Sequence, residues 1–390
     1  MQPGDINPAL NGLLCATPVV AGNAARLLIA GGGTGGHLFP GIAIAREFMA
    51  RNAQNAVLFA STGNPFEQKT LSRAGFPLET LSVAGIKGRS LWQKLTSLAL
   101  IPLGVFQSGR IIKRFKPDLV LGVGSYAAGP VVLAAWMTAI PVVLHEQNIL
   151  PGITNRVLAR FARRIYVSFE NTAGRFDSAK VRLTGNPVRR EILQPTAVAD
   201  REDDGPADRA PVLNILIAGG SQGAHAINMA AVAALPLVRK KERLRIVHQT
   251  GAADEDHVRA AYAAQGICAE VGAFFDDMDR QYQRADLIIC RAGATTVAEI
   301  TAVGKAALFI PFPFAADDHQ RLNAEALAAR GAAEMIAEKQ LTAAGLAESI
   351  ERLAMDRAAL DRMAALSRKF GRPEAARLIV DDCYELLAGR

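Results

Sequence analysis

Residues 27–37 read LLIAGGGTGGH and residues 215–225 read ILIAGGSQGAH. Each is a short aliphatic run that ends abruptly in glycines and passes into residues that open a helix. A strand, a glycine turn and a helix in that order form the first βα unit of a mononucleotide-binding fold. The turn lets a ligand approach the backbone, and the helix N-terminus offers unpaired N–H groups to an anion. Two such starts about 190 residues apart imply two similar halves, each opening with its own βα unit. Neither turn is a sound GxGxxG fingerprint, and neither ends in the GKS or GKT of a phosphate-binding P-loop.

Outward from each turn the pattern repeats. In the first half, apolar runs at 56–60 (AVLFA), 118–123 (DLVLGV), 141–145 (PVVLH) and 164–168 (RIYVS) alternate with helical stretches such as 40–51 and 107–115. In the second, strands are expected at 245–249, 286–290, 307–310 and 333–337. Strands alternating with helices predict parallel sheets covered on both faces, so the fold class is α/β with two Rossmann-like, doubly wound domains. The first domain is placed at 25–190 and the second at 191–373. Residues 193–211, LQPTAVADREDDGPADRAP, read as a flexible surface connection. Helical stretches follow at 342–368 and 374–387, separated by Gly371 and Pro373, and the last segment, 374–390, is a candidate to cross back onto the first domain. Residues 1–24 are taken as a disordered or loosely packed extension.

Composition narrows the class. A length of 390 residues is too great for one ordinary domain, and half of the residues are hydrophobic while only 6% are aromatic, the balance of an α/β enzyme. The four cysteines, Cys15, Cys268, Cys290 and Cys383, form no CxxC pair and have no histidine at ligand spacing, which reads as reduced cytosolic thiols without a zinc site. Cys268 and Cys290 sit in apolar runs and are expected to be buried. No stretch reaches the ~20 uninterrupted apolar residues of a spanning helix, and the N-terminus lacks the basic start of a secretory signal. The net charge of +7 is uneven: residues 1–200 hold 21 Lys and Arg against 10 Asp and Glu, and the remainder 23 against 27. The basic first half is therefore the one expected to meet an anionic surface.

Polar clusters stand at strand ends, where an open α/β sheet places its ligands. His37 directly follows the first glycine turn at a helix start, where the partial positive field favours the neutral, base-competent imidazole; capping or packing is the alternative. Gly124-Ser125-Tyr126, His145-Glu146-Gln147-Asn148 and Gly185-Asn186-Pro187-Val188-Arg189 each close an apolar run. Four hydrogen-bonding side chains in succession at 145–148 exceed what a turn requires, although a network tying loops together would also use them. In the second half, Ala294-Thr295-Thr296-Val297-Ala298-Glu299 begins another helix: small residues there suit phosphate, and Glu299 is placed to accept two ribose hydroxyls or simply to cap the helix. Gln320, beside His319, offers an amide to sugar hydroxyls, and Asp317 and Asp318 are read as solvated carboxylates.

Taken together, GGTGGH (32–37), KPDLVLGVGSY (116–126), PVVLHEQN (141–148), GNPVR (185–189), GGSQGA (219–224) and AGATTVAEI (292–300) closely resemble the peptidoglycan N-acetylglucosaminyltransferases of glycosyltransferase family 28, from about Leu27 to the C-terminus. The resemblance implies a GT-B architecture with the active site in the interdomain cleft. It implies inverting transfer of GlcNAc from UDP-GlcNAc to the 4-hydroxyl of a lipid-linked muramyl-pentapeptide. By the same resemblance Glu299 would bind ribose, the backbone of Phe275 the uracil, Ser221 and the turn at Ala294, Thr295 and Thr296 the diphosphate, with Val297 and Ala298 continuing that run, and Gln320 the GlcNAc hydroxyls. Thr34, Gly35, Gly36, Asn148 and Arg189 would close over the donor from the first domain. His319-Gln320 stands where the family often has paired glutamines, Phe275 replaces a frequent isoleucine, and the segment before His319 is one residue longer. The chemistry needs a base for the acceptor hydroxyl and charge stabilisation for departing UDP. His37 is the first candidate base and Glu146 the second, and neither a metal nor another cofactor is called for.

Two other enzyme classes share parts of this pattern. A UDP-GlcNAc 2-epimerase would have the same architecture without a lipid acceptor, and an NAD-dependent oxidoreductase is disfavoured by the imperfect first fingerprint. Between Leu91 and Lys116, the apolar residues exceed one buried stripe and Pro102 with Gly104 should interrupt any single helix. Trp92 and Leu95 beside Lys94, Arg110, Lys113 and Arg114 read as a patch for anionic lipid. The expected partners are therefore UDP-GlcNAc, the undecaprenyl-linked acceptor and anionic inner-membrane lipids on the cytoplasmic side, and no nucleic acid.

Overall fold

A computed structural model describes residues 23–83, 91–194, 213–220 and 223–389. Residues 1–22 of the proposed N-terminal extension, nearly all of the 193–211 connection and Ser221 lie outside the described residues, as do the side chains of Trp92, Lys94 and Leu95. The first half begins with β1 (Arg26–Ala30), α1 (Gly35–Arg51), β2 (Ala56–Ser61), α2 (Pro65–Ala74), β3 (Leu78–Thr80), α3 (Leu91–Phe115) and β4 (Leu119–Gly122). It continues with α4 (Ala128–Met137), β5 (Val142–Glu146), α5 (Ile153–Leu158), β6 (Arg164–Val167), α6 (Glu170–Ala173), β7 (Val181–Leu183) and α7 (Arg190–Leu193). The second half opens with β8 (Leu213–Ala218), α8 (His225–Ala234), β9 (Leu244–Gln249), α9 (Glu255–Ala264), β10 (Ala269–Gly272), α10 (Met278–Arg284) and β11 (Leu287–Cys290). It ends with α11 (Ala294–Val303), β12 (Ala306–Phe309), α12 (His319–Ala328), β13 (Glu334–Met335), α13 (Ala343–Met355), α14 (Arg357–Phe370) and α15 (Ala375–Ala388).

Among the described residues the strands form two wholly parallel sheets, in the orders β3-β2-β1-β4-β5-β6-β7 and β10-β9-β8-β11-β12-β13. Parallel strands buried on both faces read as unbroken aliphatic runs. Leu27, Leu28, Ile29 and Ala30 of β1, like Leu287, Ile288 and Ile289 of β11, have no exposed surface. In each sheet the strand order reverses beside the first strand, between β1 and β4 and between β8 and β11. The loops that leave the carboxyl ends of those strands therefore diverge and open a crevice. Gly31 (φ +116°) is required there: a Cβ would collide with the carbonyl oxygen of Gly124, so only glycine lets the loops after β1 and β4 touch.

The central strands stand where the sequence predicts them. The edge strands β3 (LET), β7 (VRL) and β10 (AEVG) were not predicted, because short edge strands exchange the aliphatic run for polar alternation. Cys268, expected to be buried, is exposed beside β10 for the same reason, while Cys290 of β11 is buried. α3 is one helix from Leu91 to Phe115 with Pro102 inside it. A proline removes one backbone hydrogen bond, but α3 is held by packing on α4, where Gly104 lies against Pro130 and Val83. The stretch 342–368 is broken at Asp356, whose side chain accepts from the N–H of Ala359 and starts α14.

The chain crosses between the domains twice. After β7, Val188 and Ile192 join the core of the second domain, where α7 packs on α10 and α11. After α14, α15 returns to the first: Ile379, Val380, Cys383 and Tyr384 belong to the core beneath α1, and the Tyr384 ring stacks on Phe48 at 5.5 Å.

Candidate active site

α1 and α11 each follow the innermost turn of their domain, and they meet end to end. The Thr295 hydroxyl at the start of α11 donates to the carbonyl of Gly36 at the start of α1 (3.1 Å). Neither N-terminus is capped by a side chain, at Thr34 or at Gly293, so both leave N–H groups directed into the space between the domains. Two helix N-termini converging on one place form an anion site from backbone alone. A second bridge holds the domains nearby: the N–H of Ile149 donates to Asn323 Oδ1 (3.2 Å), and Asn323 Nδ2 donates to the carbonyl of Ala292 (3.2 Å).

His37 stands in the first turn of α1, and its ring is fixed by the residues that close β5. Gln147 Nε2 donates to the carbonyl of Val123 (2.8 Å) and to His145 Nδ1 (3.2 Å), which leaves Gln147 Oε1 to accept from His37 Nδ1–H (3.2 Å). His145, wholly buried, donates Nε2–H to the carbonyl of Gly185 (3.4 Å). The chain of bonds assigns both tautomers and leaves the lone pair of His37 on Nε2. Burial lowers the His37 pKa below 6.5, outweighing the bonds to Gln147 and Val123, which favour the charged form. Burial likewise brings His145 down to about 4.

Glu146 is engaged differently. Its Oε1 accepts from the N–H of Asn148 (3.0 Å), and its Oε2 accepts from the N–H of Gly152 (3.0 Å) and from Asn155 Nδ2 (2.8 Å). Burial raises its pKa while these bonds pull it down. Both oxygens thus organise the loop from 146 to 155 and position Asn148.

In the second domain Glu299 is buried, and both of its oxygens are also held. Arg189 Nε and Nη2 each lie 2.9 Å from Oε1, and the Tyr282 hydroxyl donates to Oε2 (3.1 Å). Arg189 stacks over Phe39 of α1 at 4.7 Å, so its guanidinium spans the two domains, and Glu299 helps to keep its pKa raised against the cost of burial. The N–H of Phe275 donates to Gln249 Oε1 (3.1 Å), and Gln249 Nε2 donates to the carbonyl of Gly220 (3.2 Å) beside the second glycine turn. Gln320 Oε1 accepts from the N–H of Phe312 (3.0 Å), which orients its NH2 group as the free end.

The cleft thus brings together Gly35, Gly36 and His37 with Thr295, and Arg189 with Glu299. Ala294, Val297 and Ala298 lie on another face of α11, lining a cavity between the domains away from Glu299, so their side chains do not share its surroundings. Sequence reading missed Tyr282, Gln249 and Asn155. Each is an ordinary helix, strand-end or loop residue in sequence, and only the fold aims it at a neighbour in the site.

Two facing Rossmann-like domains with paired helix N-termini in the cleft define a GT-B enzyme that handles a nucleotide-linked sugar. Residues 27–167 match the glycosyltransferase family 28 N-terminal domain, and residues 214–379 the family 28 C-terminal domain. The chain belongs to glycosyltransferase family 28. It is 50% identical, over 92% of its length and 98% of the relative's, to the UDP-N-acetylglucosamine--N-acetylmuramyl-(pentapeptide) pyrophosphoryl-undecaprenol N-acetylglucosamine transferase of Pelobacter propionicus. Its fold superposes on the crystal structure of Acinetobacter baumannii MurG with a TM-score of 0.72 at 34% identity, covering 92% of this chain and 98% of that one. The UDP-GlcNAc 2-epimerase of Neisseria meningitidis, bound to UDP-GlcNAc, shares the architecture alone: the TM-score is 0.65 at 17% identity, over 92% of this chain and 99% of that one.

Proposed function

We propose that this chain is an inverting glycosyltransferase that moves GlcNAc from UDP-GlcNAc to the 4-hydroxyl of the muramyl sugar of undecaprenyl-pyrophosphoryl-MurNAc-pentapeptide, the step that completes the lipid-linked disaccharide of peptidoglycan. One observation carries the mechanism: His37 is held by Gln147 with its Nε2 lone pair unused, next to the meeting point of two helix N-termini. A diphosphate at that meeting point receives N–H groups from α11 and from the turn at Thr34, Gly35 and Gly36, and Ser221 belongs to the matching turn of the second domain. Glu299 takes the ribose hydroxyls, the Phe275 carbonyl takes the uracil N–H, and the Gln320 NH2 group takes a sugar hydroxyl.

Proton and charge then move in opposite directions. His37 Nε2 accepts the proton of the acceptor hydroxyl as its oxygen attacks the anomeric carbon, and the bond to UDP breaks on the far side with inversion. The helix N-termini and Arg189 stabilise the charge gathering on the diphosphate. Asn148 closes over the donor from a loop that Glu146 holds rigid, and the engagement of both Glu146 oxygens favours His37 as the base.

The acceptor's lipid places the reaction at a membrane surface. No helix among the described residues is long and apolar enough to cross a membrane. Instead Leu103 and Phe106 are exposed on α3, Trp136 and Met137 on α4, and Ile153 and Val157 on α5, on helices that pack side by side. By helical spacing Arg110 and Lys113, both exposed, share the outward face of α3 with Phe106. Apolar side chains ringed by cations suit a peripheral contact with anionic lipid on the cytoplasmic side of the inner membrane.

Incubating the protein with sugar-labelled UDP-GlcNAc and the lipid-linked muramyl acceptor tests the reaction. Label should pass into the lipid fraction as UDP is released. Interconversion of the free UDP-sugar with an unlabelled lipid would replace the transferase by an epimerase.

A further inference from the structure

The first glycine turn is held from behind by α2. Glu67, in the first turn of that helix, has no exposed surface. One of its oxygens serves the helix. Oε2 accepts the N–H of Asn64 (2.9 Å), which closes a capping box with Asn64 Oδ1 on the N–H of Glu67 (2.9 Å), and it also accepts from the Thr62 hydroxyl (2.9 Å). The other oxygen leaves α2 altogether: Oε1 accepts closely from the N–H of Gly33 and from the Ser61 hydroxyl.

Two further observations separate this contact from helix capping. Gly32 does not lie in the left-handed region, yet a Cβ there would collide with Glu67 Oε1 and Ser61 Oγ. Its glycine is therefore needed for the carboxylate to reach the turn. On the other side, Asn64 Nδ2 donates to the carbonyl of Gly33 (3.3 Å), so Gly33 is tied at both its N–H and its carbonyl. That carbonyl and the N–H of Thr34 belong to one trans peptide and point in opposite directions. Holding the oxygen toward α2 turns the Thr34 N–H away from it. A capping box works at the surface, so the full burial of this carboxylate is explained by the turn and not by the helix.

We propose that Glu67 is a positioning residue for sugar transfer: with four donors on its two oxygens, it locks the peptides around Gly33 and so fixes the N–H groups of Thr34, Gly35 and Gly36. The role rests on the reading that the donor diphosphate lies at this turn. Glu67 touches no substrate. Donors whose direction is set beforehand need no reorganisation as charge gathers on the leaving diphosphate, so their effect is greatest in the transition state. Glutamine at this position has the same shape but presents an NH2 group to donors, so the turn loses part of its anchor.

Steady-state transfer from UDP-GlcNAc to the lipid-linked muramyl acceptor tests this, on full-length variants whose thermal midpoints show them folded at the assay temperature. Glu67→Gln should lower kcat by about ten- to a hundredfold, the scale of a ~1 Å misplacement, while KM for UDP-GlcNAc moves less than about twofold. Gly32→Ala displaces the same carboxylate from the opposite side and should lower kcat likewise. The two changes together should cost no more than the larger alone, because both break one contact. If Glu67→Gln does not fold, Asn64→Ser decides: serine still caps α2 but lacks the amide that holds the Gly33 carbonyl, so kcat should again fall at unchanged KM. Unchanged kcat in the folded variants, a rise in KM at constant kcat, or additive losses in the double variant overturns the role of Glu67 while wild-type transfer stands. Absence of transfer by the wild-type chain would instead remove the proposed reaction, and this role with it.

Discussion

His37 can act as a base only if the proton on its ring sits on Nδ1, and one amide decides that. Gln147 has its nitrogen committed to Val123 and His145, so its oxygen faces His37. Replacing His37 by Ala should lower turnover roughly 10²–10⁴-fold and leave UDP affinity nearly unchanged, as steady-state kinetics and titration would show. Gln147→Leu frees the ring without removing it and should cost up to about 10²-fold in kcat, the scale of a ~1 Å misplacement. Because the His37 pKa lies below 6.5, the acid limb of kcat/KM should fall below that pH. A limb centred above it would assign the base elsewhere. On the donor side, Glu299→Ala should weaken UDP binding by roughly 1.5–3 kcal/mol, and Tyr282→Phe by about 1 kcal/mol. Neither should alter binding of 2′,3′-dideoxy-UDP, which has no hydroxyls for Glu299 to accept. At this scale the sequence was informative where chemistry is local. Four hydrogen-bonding side chains after an aliphatic strand marked a ligand site or a network tying loops together, but which of them faces the cleft depends on Val123, Gly185 and Asn155, from three other segments.

Among the elements, the packed row of α3, α4 and α5 exposes Phe106, Trp136 and Ile153 side by side, and its prediction concerns lipid. The protein should sediment with anionic vesicles, more weakly as salt rises, because each Lys or Arg near such a surface contributes about 1 kcal/mol that salt screens. Phe106→Ser with Trp136→Ser should release it, as should Trp92→Ser with Leu95→Ser, while soluble UDP binding stays intact. Equal binding to neutral and anionic lipid would refute the electrostatic part. The same helices mark the limit of reading elements from sequence. Pro102 signals a break by its local chemistry, yet packing of Gly104 against Pro130 keeps α3 whole. The edge strands were illegible for the converse reason: β3, β7 and β10 are strands because a neighbour supplies their hydrogen bonds, and three or four residues carry no period of their own.

At the scale of the whole molecule, acid should weaken the fold through two histidines that are neutral inside it. Burial holds both His145 and His248 at about 4, against 6.5 for an unhindered imidazole. Between those values the unfolded chain binds a proton at each that the native chain refuses, so stability is full above 6.5 and declines as pH falls toward 4. The loss should approach about 3 kcal/mol per histidine. Urea midpoints at pH 7, 5.5 and 4.5 would record it, and His248→Asn should flatten the slope; a midpoint independent of pH over that range would contradict it. The return of α15 beneath α1 has a consequence for how the protein is made. During synthesis the first sheet leaves the ribosome about 200 residues before Ile379, Val380 and Tyr384 exist to cover it, so the earlier half must wait, partly unclad, until α15 is translated. A message cut short anywhere before that helix yields an amino-terminal half with an open apolar face, the kind of surface that chaperones and proteases engage. Enclosure of the first core thereby depends on a helix that lies on the far side of an entire second domain.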